Sequence, residues 1–352
     1  MNQMAEKHHN FHNQRFAGIQ ALRGILALFV VLEHIRFAAC GAFAVDAFFC
    51  ISGFMIMFST HDDTKHFLAK RLIRILPLYY LMTIGTFLLL LMAPNMFETT
   101  SANAENLIKS LLFIPFDIGG GILQPLMRVG WTINCEFFFY LLFWVSFKIS
   151  HKYRAAICSI LLVVLVTISH TIPHNSVFLS FYGAPVMLDF IWGMLAYYVC
   201  RWMFVKWDVK KVNRDIHIEK GISILSLFLA IMLFVVLIAT KTDIDTLSLQ
   251  RPLYWGGAGF LLVLLFFMSE LFGWKVPTSL VHLGNISFSL YLLHYYPVMF
   301  LGRAIFNFEY FDVKSIIGAT LAICISVVAA LLSYKLIENK FTKLLKKIIL
   351  HQ

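Results

Sequence analysis

Ten apolar stretches of about 20 residues, joined by short polar connections, dominate this 352-residue chain. A helix of that length crosses a bilayer and satisfies its own backbone hydrogen bonds there. With 60% hydrophobic and 14% charged residues, the chain is too apolar for a soluble globular protein. We therefore predict an all-α polytopic membrane protein with spans near 19–37, 41–60, 74–93, 131–150, 154–172, 183–202, 221–240, 252–270, 284–302 and 313–335.

The predicted spans form one membrane domain, because no long polar linker interrupts them. We place this domain at 18–340, after a polar N-terminal tail over 1–17 and before a basic amphipathic tail over 341–352. The first apolar stretch is expected to stay in the mature protein, since it lacks the cleavage pattern of a signal peptide. The stretches 107–116 and 271–282 are too short to cross and are predicted to be interfacial or re-entrant.

Lysine and arginine are distributed unevenly between the predicted loops. With the N-terminus inside, the inner segments hold 21 of the 29 basic residues and the outer loops hold six. Basic residues concentrate on the cytoplasmic side, so both termini are predicted to be cytoplasmic. The net charge of +10 is then explained by anionic lipid headgroups, and we predict no nucleic acid partner.

Histidine and cysteine patterns predict neither a metal site nor a disulfide. His8, His9 and His12 in the N-terminal tail have no cysteine or carboxylate cluster beside them. The six cysteines lie in or beside apolar stretches without paired spacing, and they are expected to behave as small hydrophobic side chains. They are Cys40, Cys50, Cys135, Cys158, Cys200 and Cys324.

Two ionisable residues share one face of the first apolar stretch. Arg23 and His34 are eleven residues apart, which on a helix brings them within about 20° of each other and about 16 Å apart along the axis. Ionisable groups are costly in hydrocarbon and normally face a protein interior or a water-filled cavity. The pair therefore indicates a functional site inside the bundle.

Two carboxylates are predicted to lie at the depth of His34. In the inferred topology His34 is near the outer end of the first span, Asp46 enters the second span at that level, and Glu136 enters the fourth. These three titratable residues are predicted to meet in the outer half of the bundle. The alternative for His34 is a hydrogen-bonded structural histidine.

An arginine cluster is predicted towards the cytoplasm. Arg71 and Arg74 share a helix face at the start of the third span, and Arg23 lies at the same end of the first. Guanidinium groups match phosphate geometry, so the three could bind an anionic group. Orientation alone would also explain Arg71 and Arg74, and Arg23 could extend to the inner surface.

Six motifs, in the same order, resemble those of the acyltransferase 3 family. They are the spacing from Arg23 to His34, Val45-Asp-Ala-Phe-Phe-Cys-Ile-Ser-Gly-Phe, Arg71-Leu-Ile-Arg, Gly130-Trp-Thr-Ile-Asn-Cys-Glu, Leu283-Gly-Asn-Ile-Ser-Phe-Ser-Leu-Tyr-Leu-Leu-His-Tyr-Tyr-Pro and Lys335-Leu-Ile-Glu. The second and fourth motifs are most similar to the branch that acetylates exopolysaccharides.

This resemblance implies ten membrane helices, a cytoplasmic acyl-CoA donor and an acceptor hydroxyl on a sugar at the outer face. Acetyl-CoA is the expected donor and a surface polysaccharide or exopolysaccharide the expected acceptor. No permanently bound cofactor is implied, and the expected location is a bacterial cytoplasmic (inner) membrane. The acyl group, the sugar and hydroxyl that receive it, and the oligomeric state stay open.

An acyl thioester is already activated, so the reaction mainly needs a base for the acceptor hydroxyl. Histidine suits this role, and we predict that His34 is the general base, oriented by Asp46 or Glu136. A covalent acyl-histidine relay is an open alternative. His294 in the ninth span is a rival base, although it could instead belong to packing around a kink at Pro297.

Further residues are predicted to support the site or contact substrate. Ser52 could supply a hydroxyl contact, although hydrogen bonding between helices would explain it equally well. Trp131, Tyr291 and His294 lie in the family motifs, and Glu338 could pair with Arg71 or Arg74.

Two other function classes compete with an acyltransferase. A transporter or flippase of a glycan or lipid-linked substrate would suit ten helices with buried charges, but no repeated half with matching broken helices is evident. A polysaccharide polymerase usually needs a large outer loop, and the longest predicted one, over 93–130, has few charged residues.

Overall fold

The apolar stretches form helices nearly throughout the part of the chain that the structure covers. The computed structural model describes residues 11, 14–35, 41–61, 65–94, 102–209, 216–240, 244–245, 247–301 and 316–350. Within these ranges the fold is all-α, with one isolated β-bridge between Asp117 and Leu123. The predicted fold class is confirmed.

The α-helices of these ranges are numbered in chain order. They are α1 (Ala17–His34), α2 (Ala42–Ser59), α3 (Phe67–Met92), α4 (Ala104–Leu111), α5 (Trp131–Ile149), α6 (Arg154–Thr171), α7 (Val177–Tyr182), α8 (Asp189–Val209), α9 (Ile216–Thr240), α10 (Gly257–Leu271), α11 (Thr278–Asn285), α12 (Ser287–Leu293), α13 (Tyr295–Phe300), α14 (Ile316–Ser333) and α15 (Asn339–Ile349). A π-helical turn, Pro252–Gly256, leads into α10, and another, Tyr334–Glu338, joins α14 to α15.

Eight helical segments of the described ranges are long and apolar enough to cross a bilayer. They are Ala17–His34, Ala42–Ser59, Phe67–Met92, Arg128–Ile149, Arg154–Thr171, Ile216–Thr240, Pro252–Leu271 and Ile317–Ile349. The chain is therefore a polytopic membrane protein. The total of ten spans and the cytoplasmic location of both termini stay predictions.

The remaining two predicted spans differ in detail from the sequence expectation. The sixth, expected over 183–202, is helix α8, which begins at Asp189 and ends at Val209. The ninth, expected over 284–302, is divided into α12 and α13 at His294. Proline has no backbone N–H, so Pro297 cannot donate to the carbonyl of Leu293 and the helix is interrupted there.

The two stretches predicted as too short to cross also contain short helices. Helix α4 overlaps 107–116, and α11 follows the turn after α10, within 271–282 and just beyond it. Their interfacial or re-entrant placement stays a prediction.

One compact unit is formed within residues 1–30, 39–64 and 188–287. In it α2 packs against α8 and α10, and α9 packs against α10. The contact between α2 and α8 depends on glycine, because a β-carbon on Gly193 would overlap the carbonyl oxygen of Cys50. Small residues permit such close approach of helix backbones in membranes.

The other compact unit is formed within residues 31–38, 65–187 and 288–352. Its α3 contacts α4, α5 and α15, and α5 contacts α6. One apolar cluster joins the end of α1 to α13 and α14 through Ile35, Leu301, Ala319 and Ala322. The predicted single membrane domain over 18–340 stays a prediction, and each unit is described by itself below.

Both predicted tails can be compared with the structure only in part. The basic tail over 341–352 is largely helical, in α15, with exposed Lys343, Lys346 and Lys347. His8, His9, His12 and Cys40 lie outside the described residues. The five described cysteines are free thiols, and all but Cys324 are buried.

Candidate functional site

Helix α1 carries Arg23 and His34, as the spacing predicts. His34 is the last residue of the helix, and both side chains are half-buried. Glu270 holds the beginning of α1, since its carboxylate oxygens accept the backbone N–H groups of Ala17 at 3.0 Å and Gly18 at 2.7 Å. A carboxylate stabilises a helix N-terminus, where the N–H groups have no partner within the helix.

His34 is paired with His294. Nδ1 of His34 lies 3.2 Å from Nε2 of His294, and the ring centroids are 4.7 Å apart at 71°. His294 is fully buried at the break between α12 and α13, whereas His34 is half-buried. The sequence predicted these two histidines as rival bases, and the structure places them in direct contact.

The hydrogen bonds of His294 assign a tautomer to both rings. Nδ1 of His294 lies 3.2 Å from the carbonyl oxygen of Leu290, which can only accept, so Nδ1 carries the proton. In a neutral His294, Nε2 is then an acceptor, and the Nδ1–H of His34 donates to it. The basic lone pair of a neutral His34 is therefore on Nε2. This tautomer is inferred from the hydrogen-bond network.

Tyr291 connects this histidine pair to helix α5. Its ring is 6.0 Å from that of His294, and its hydroxyl lies 2.7 Å from Oγ1 of Thr132. Tyr291 also interacts electrostatically with Glu136. Trp131 is the first residue of α5. The unit that contains His34 also contains the motif residues Trp131, Glu136, Tyr291 and His294.

Glu136 and Arg71 share Tyr140 as a neighbour. The Tyr140 hydroxyl donates to Oε1 of Glu136 one helical turn away, and the Arg71 guanidinium lies 5.4 Å from the Tyr140 ring centroid. Arg71 also packs on Phe67 at 5.8 Å and interacts electrostatically with Glu136 and Arg74. Tyr140 thus contacts both a predicted catalytic carboxylate, Glu136, and an arginine predicted to bind phosphate, Arg71.

The three predicted phosphate-binding arginines divide between the two units. Arg71 and Arg74 are half-buried on α3, in the unit that contains His34. Arg23 belongs to the other unit, where its Nη1 donates to Oε1 of Gln20 at 3.5 Å. Gln20 in turn donates to Asn285 at 3.0 Å.

Glu338 has a partner that the sequence did not indicate. Its Oε2 accepts the hydroxyl of Ser289 at 2.8 Å, which ties the π-helical turn after α14 to α12. The predicted pairing of Glu338 with Arg71 or Arg74 stays a prediction. Ser52, predicted to contact substrate, is half-buried on α2.

Asp46 belongs to a second buried charge cluster, in the compact unit that does not contain the histidine pair. Both of its carboxylate oxygens accept from Arg251, at 2.9 Å each. Arg251 is stacked 4.8 Å from the Trp255 ring, and Asp189 lies beside Asp46. Sequence reasoning missed Arg251 and Asp189, although a charged residue in or beside an apolar stretch was the signal that could have found them.

Comparisons with known proteins identify the family of the chain. The model of the acyltransferase 3 family, described as an acyltransferase domain, matches residues 16–335. The "Exopolysaccharide production protein ExoZ" of Rhizobium meliloti (strain 1021) is 33% identical over 160 residues, which cover 44% of this chain and 50% of that protein.

Two further relatives match more of the chain. A "Putative O-acetyltransferase" of Staphylococcus aureus (strain COL) is 26% identical over 370 residues, covering 93% of this chain and 57% of its own length. A "Putative acetyltransferase" of Acidianus two-tailed virus is 24% identical over 305 residues, covering 82% and 85%.

The chain spans about half the length of the first two of these relatives. No solved structure matches it. Because the family model covers most of the chain, including the histidine pair, Glu136 and all three predicted arginines, this membrane protein belongs to the acyltransferase 3 family.

Proposed function

We propose that the chain is a membrane O-acyltransferase that moves an acyl group from cytoplasmic acyl-CoA to a hydroxyl of a surface or exopolysaccharide sugar. Acetyl-CoA is the proposed donor, and a bacterial cytoplasmic membrane is the proposed location. The observation that carries the proposal is the contact between His34 and His294, which assigns the basic lone pair of His34 to Nε2 in a chain with an acyltransferase domain.

In the proposed reaction, Nε2 of His34 takes the proton of the acceptor hydroxyl as the hydroxyl oxygen attacks the thioester carbonyl. The carbon–sulfur bond then breaks, and the CoA thiolate leaves. The imidazolium of His34 returns its proton to the thiolate, so the neutral enzyme is regenerated. No oxidant or metal is required, because the thioester supplies the driving force for ester formation.

His294 is proposed to position His34. Its Nε2 accepts the Nδ1–H of His34 and fixes the imidazole in the tautomer that has a lone pair on Nε2. A histidine held in the wrong tautomer cannot act as a base towards the same hydroxyl. Glu136 is the proposed stabiliser of the imidazolium charge, because it belongs to the same unit and interacts with Tyr291 beside His294.

The catalytic role of the Asp46 carboxylate stays a prediction. Its two oxygens are engaged by Arg251, so its negative charge is already neutralised. A carboxylate in such a pair stabilises a second cation less than Glu136 would.

Arg23, Arg71 and Arg74 are proposed to bind the phosphate groups of the donor. Guanidinium groups keep their charge at any working pH and match phosphate oxygens in pairs. The Arg71 guanidinium packs 5.4 Å from the centroid of the Tyr140 ring.

The direct test is acyl transfer by the purified protein in lipid vesicles. Radiolabelled acetyl-CoA and a polysaccharide acceptor are supplied, and label in the polysaccharide is measured beside mass analysis of the product. The wild type should transfer label, and His34→Ala should lose about 10²–10⁴-fold in turnover. The matched control is His282→Ala, at an exposed histidine of α11, which should transfer normally.

Two outcomes would change the proposal. Equal transfer by His34→Ala and wild type would show that another residue is the base. Label that stays on the protein after mixing with labelled acetyl-CoA alone, and that His34→Ala prevents, would replace direct transfer by an acyl-histidine relay.

A further inference from the structure

Three charged side chains from separate segments meet in the unit that contains α2. Asp46 on α2, Asp189 at the start of α8 and Arg251 just before α10 are at most 5% exposed. None of the three is used by the proposed transfer chemistry beyond the open prediction for Asp46. A buried charge needs a partner, because removing it from water is costly.

The charges of this cluster do not balance if both acids are ionised. Arg251 contributes one positive charge and binds both oxygens of Asp46 at 2.9 Å. That pair is neutral, and an ionised Asp189 would add one uncompensated negative charge at a site with no exposed surface. Two carboxylates sharing a site cannot both ionise readily.

The position of Asp189 shows where a proton would lie. Its carboxyl group is within hydrogen-bond reach of the Asp46 carboxyl. Neither of its oxygens has a donor among the described residues. Two groups that both accept can hydrogen-bond only when one of them carries a hydrogen.

The backbone of Gly256 packs directly against the Asp189 carboxyl group. A β-carbon at Gly256 would overlap Oδ1 of Asp189 and lie 2.8 Å from the Trp192 ring. The Cys50 sulfur lies 3.4 Å from the backbone carbonyl oxygen of Asp189 and 3.3 Å from that of Gly256. Among the described residues, no group of three or more metal-binding side chains occurs.

We propose that Asp46, Asp189 and Arg251 form a buried proton-binding site, in which one proton bridges the two carboxyl groups and is formally carried by Asp189. Asp189 then donates to Asp46, and Asp46 accepts from both Asp189 and Arg251. The proton makes the cluster neutral and joins α2, α8 and the turn before α10. This inference does not depend on the identity of the base in acyl transfer.

Among the described residues, three titratable or charged groups act on Asp189. They are Asp46 and Cys50 on α2 and Arg251 before α10. Cys50 is buried and neutral as a thiol, so it supplies no cation to replace the proton. Loss of the proton leaves a buried negative charge, and alkaline conditions should therefore loosen the contact between α2 and α8.

Infrared spectroscopy of the purified full-length protein in lipid vesicles tests the proton directly. A protonated carboxyl group has an absorption band that ionised carboxylates lack. The wild type should show such a band at neutral pH, and Asp189→Asn should lose it. Glu105→Gln, which removes an exposed carboxylate of α4, should leave the band unchanged.

A second measurement needs no variant at Asp189. Wild-type protein labelled with carboxyl-¹³C aspartate should show the protonated band at the isotope-shifted position, because the acid is an aspartate. Absence of a shifted band at neutral pH would overturn the proposal, whether or not Asp189→Asn folds.

Thermal unfolding as a function of pH gives an independent readout. Asp189→Asn keeps a hydrogen-bond donor towards Asp46, so it should fold, retain acyl transfer and resist alkaline conditions better than the wild type. Equal alkaline sensitivity in the two folded proteins would show that Asp189 does not hold the proton. Failure of acyl transfer by the wild type would leave both measurements interpretable.

Discussion

Nδ1 of His34 and Nε2 of His294 lie 3.2 Å apart, although 260 residues separate them in the chain. The pairing places a half-buried histidine at the end of α1 against a fully buried one at a helix break. Nδ1 of the buried His294 ring also lies 3.2 Å from the Leu290 carbonyl oxygen, and this hydrogen bond orients the ring. In the proposed function, His34 is the base and His294 is its positioning residue.

Replacing His294 separates these two roles. His294→Leu removes the acceptor of the His34 Nδ1–H, and the loss of one hydrogen bond of about 1 kcal/mol should slow turnover about fivefold to tenfold. His294→Gln keeps an acceptor oxygen and should retain more activity. Steady-state transfer assays in vesicles measure both variants. A loss in His294→Leu as large as in His34→Ala would make His294 the base instead.

Tyr140 allows the roles of Glu136 and Arg71 to be tested apart. Tyr140→Phe removes the hydroxyl that donates to Glu136 but keeps the ring beside Arg71, so kcat should fall with little change in KM for acyl-CoA. Tyr140→Leu removes both contacts and should also raise KM for the donor, by about threefold to fivefold for a cation–π contact of up to about 1 kcal/mol. Identical kinetic effects in the two variants would contradict a link between Arg71 and donor binding.

The ion pair between Asp46 and Arg251 should behave as a coupled unit. Arg251→Gln leaves a buried carboxylate without its partner and should cost about 3–5 kcal/mol of stability. Asp46→Asn should cost less, because Asp189 can then lose its proton and neutralise Arg251. The double variant removes both charges, so its loss should be smaller than the sum of the single losses. Thermal unfolding of the four proteins in one detergent measures the coupling. Simple additivity would indicate that the two side chains do not interact.

Glu270 should hold the start of the helix that carries His34. Glu270→Leu removes the acceptor of two backbone N–H groups and should cost about 1–2 kcal/mol. Faster hydrogen exchange of the Ala17 and Gly18 amides is the specific readout. Glu105→Gln provides the matched loss of an exposed carboxylate, and it should leave that exchange unchanged.

Gly193 should be intolerant of a single methyl group. Gly193→Ala would overlap the Cys50 carbonyl oxygen and push α8 from α2, at a cost of about 1–3 kcal/mol. Gly85→Ala is the control, because nothing lies within 4 Å of its β-carbon position on α3. That change should be neutral or stabilising by about 0.5–1 kcal/mol. Equal melting temperatures for the two variants would contradict the close packing of α2 and α8.

Local sequence patterns determined most of the helical architecture. The apolar stretches predicted the membrane class, because a bilayer requires long apolar helices whatever their neighbours are. The spacing of Arg23 and His34 correctly placed both on one helix. The contact of Tyr140 with Glu136 spans one turn of α5, so the four-residue spacing was enough to predict it. The division of the ninth span at His294 was harder to predict, because a proline such as Pro297 inside a helix permits either a kink or a break.

Only the tertiary structure decided which polar groups are partners. His34 was predicted to use Asp46 or Glu136, but its ring contacts His294, and Asp46 binds Arg251 from a segment 205 residues away. Depth in a membrane restricts each side chain to a layer, but many possible pairs share each layer. The sequence does not give the angle by which each helix is rotated about its own axis. The packing of one helix against another supplies that angle, and close contacts such as the one at Gly193 fix it.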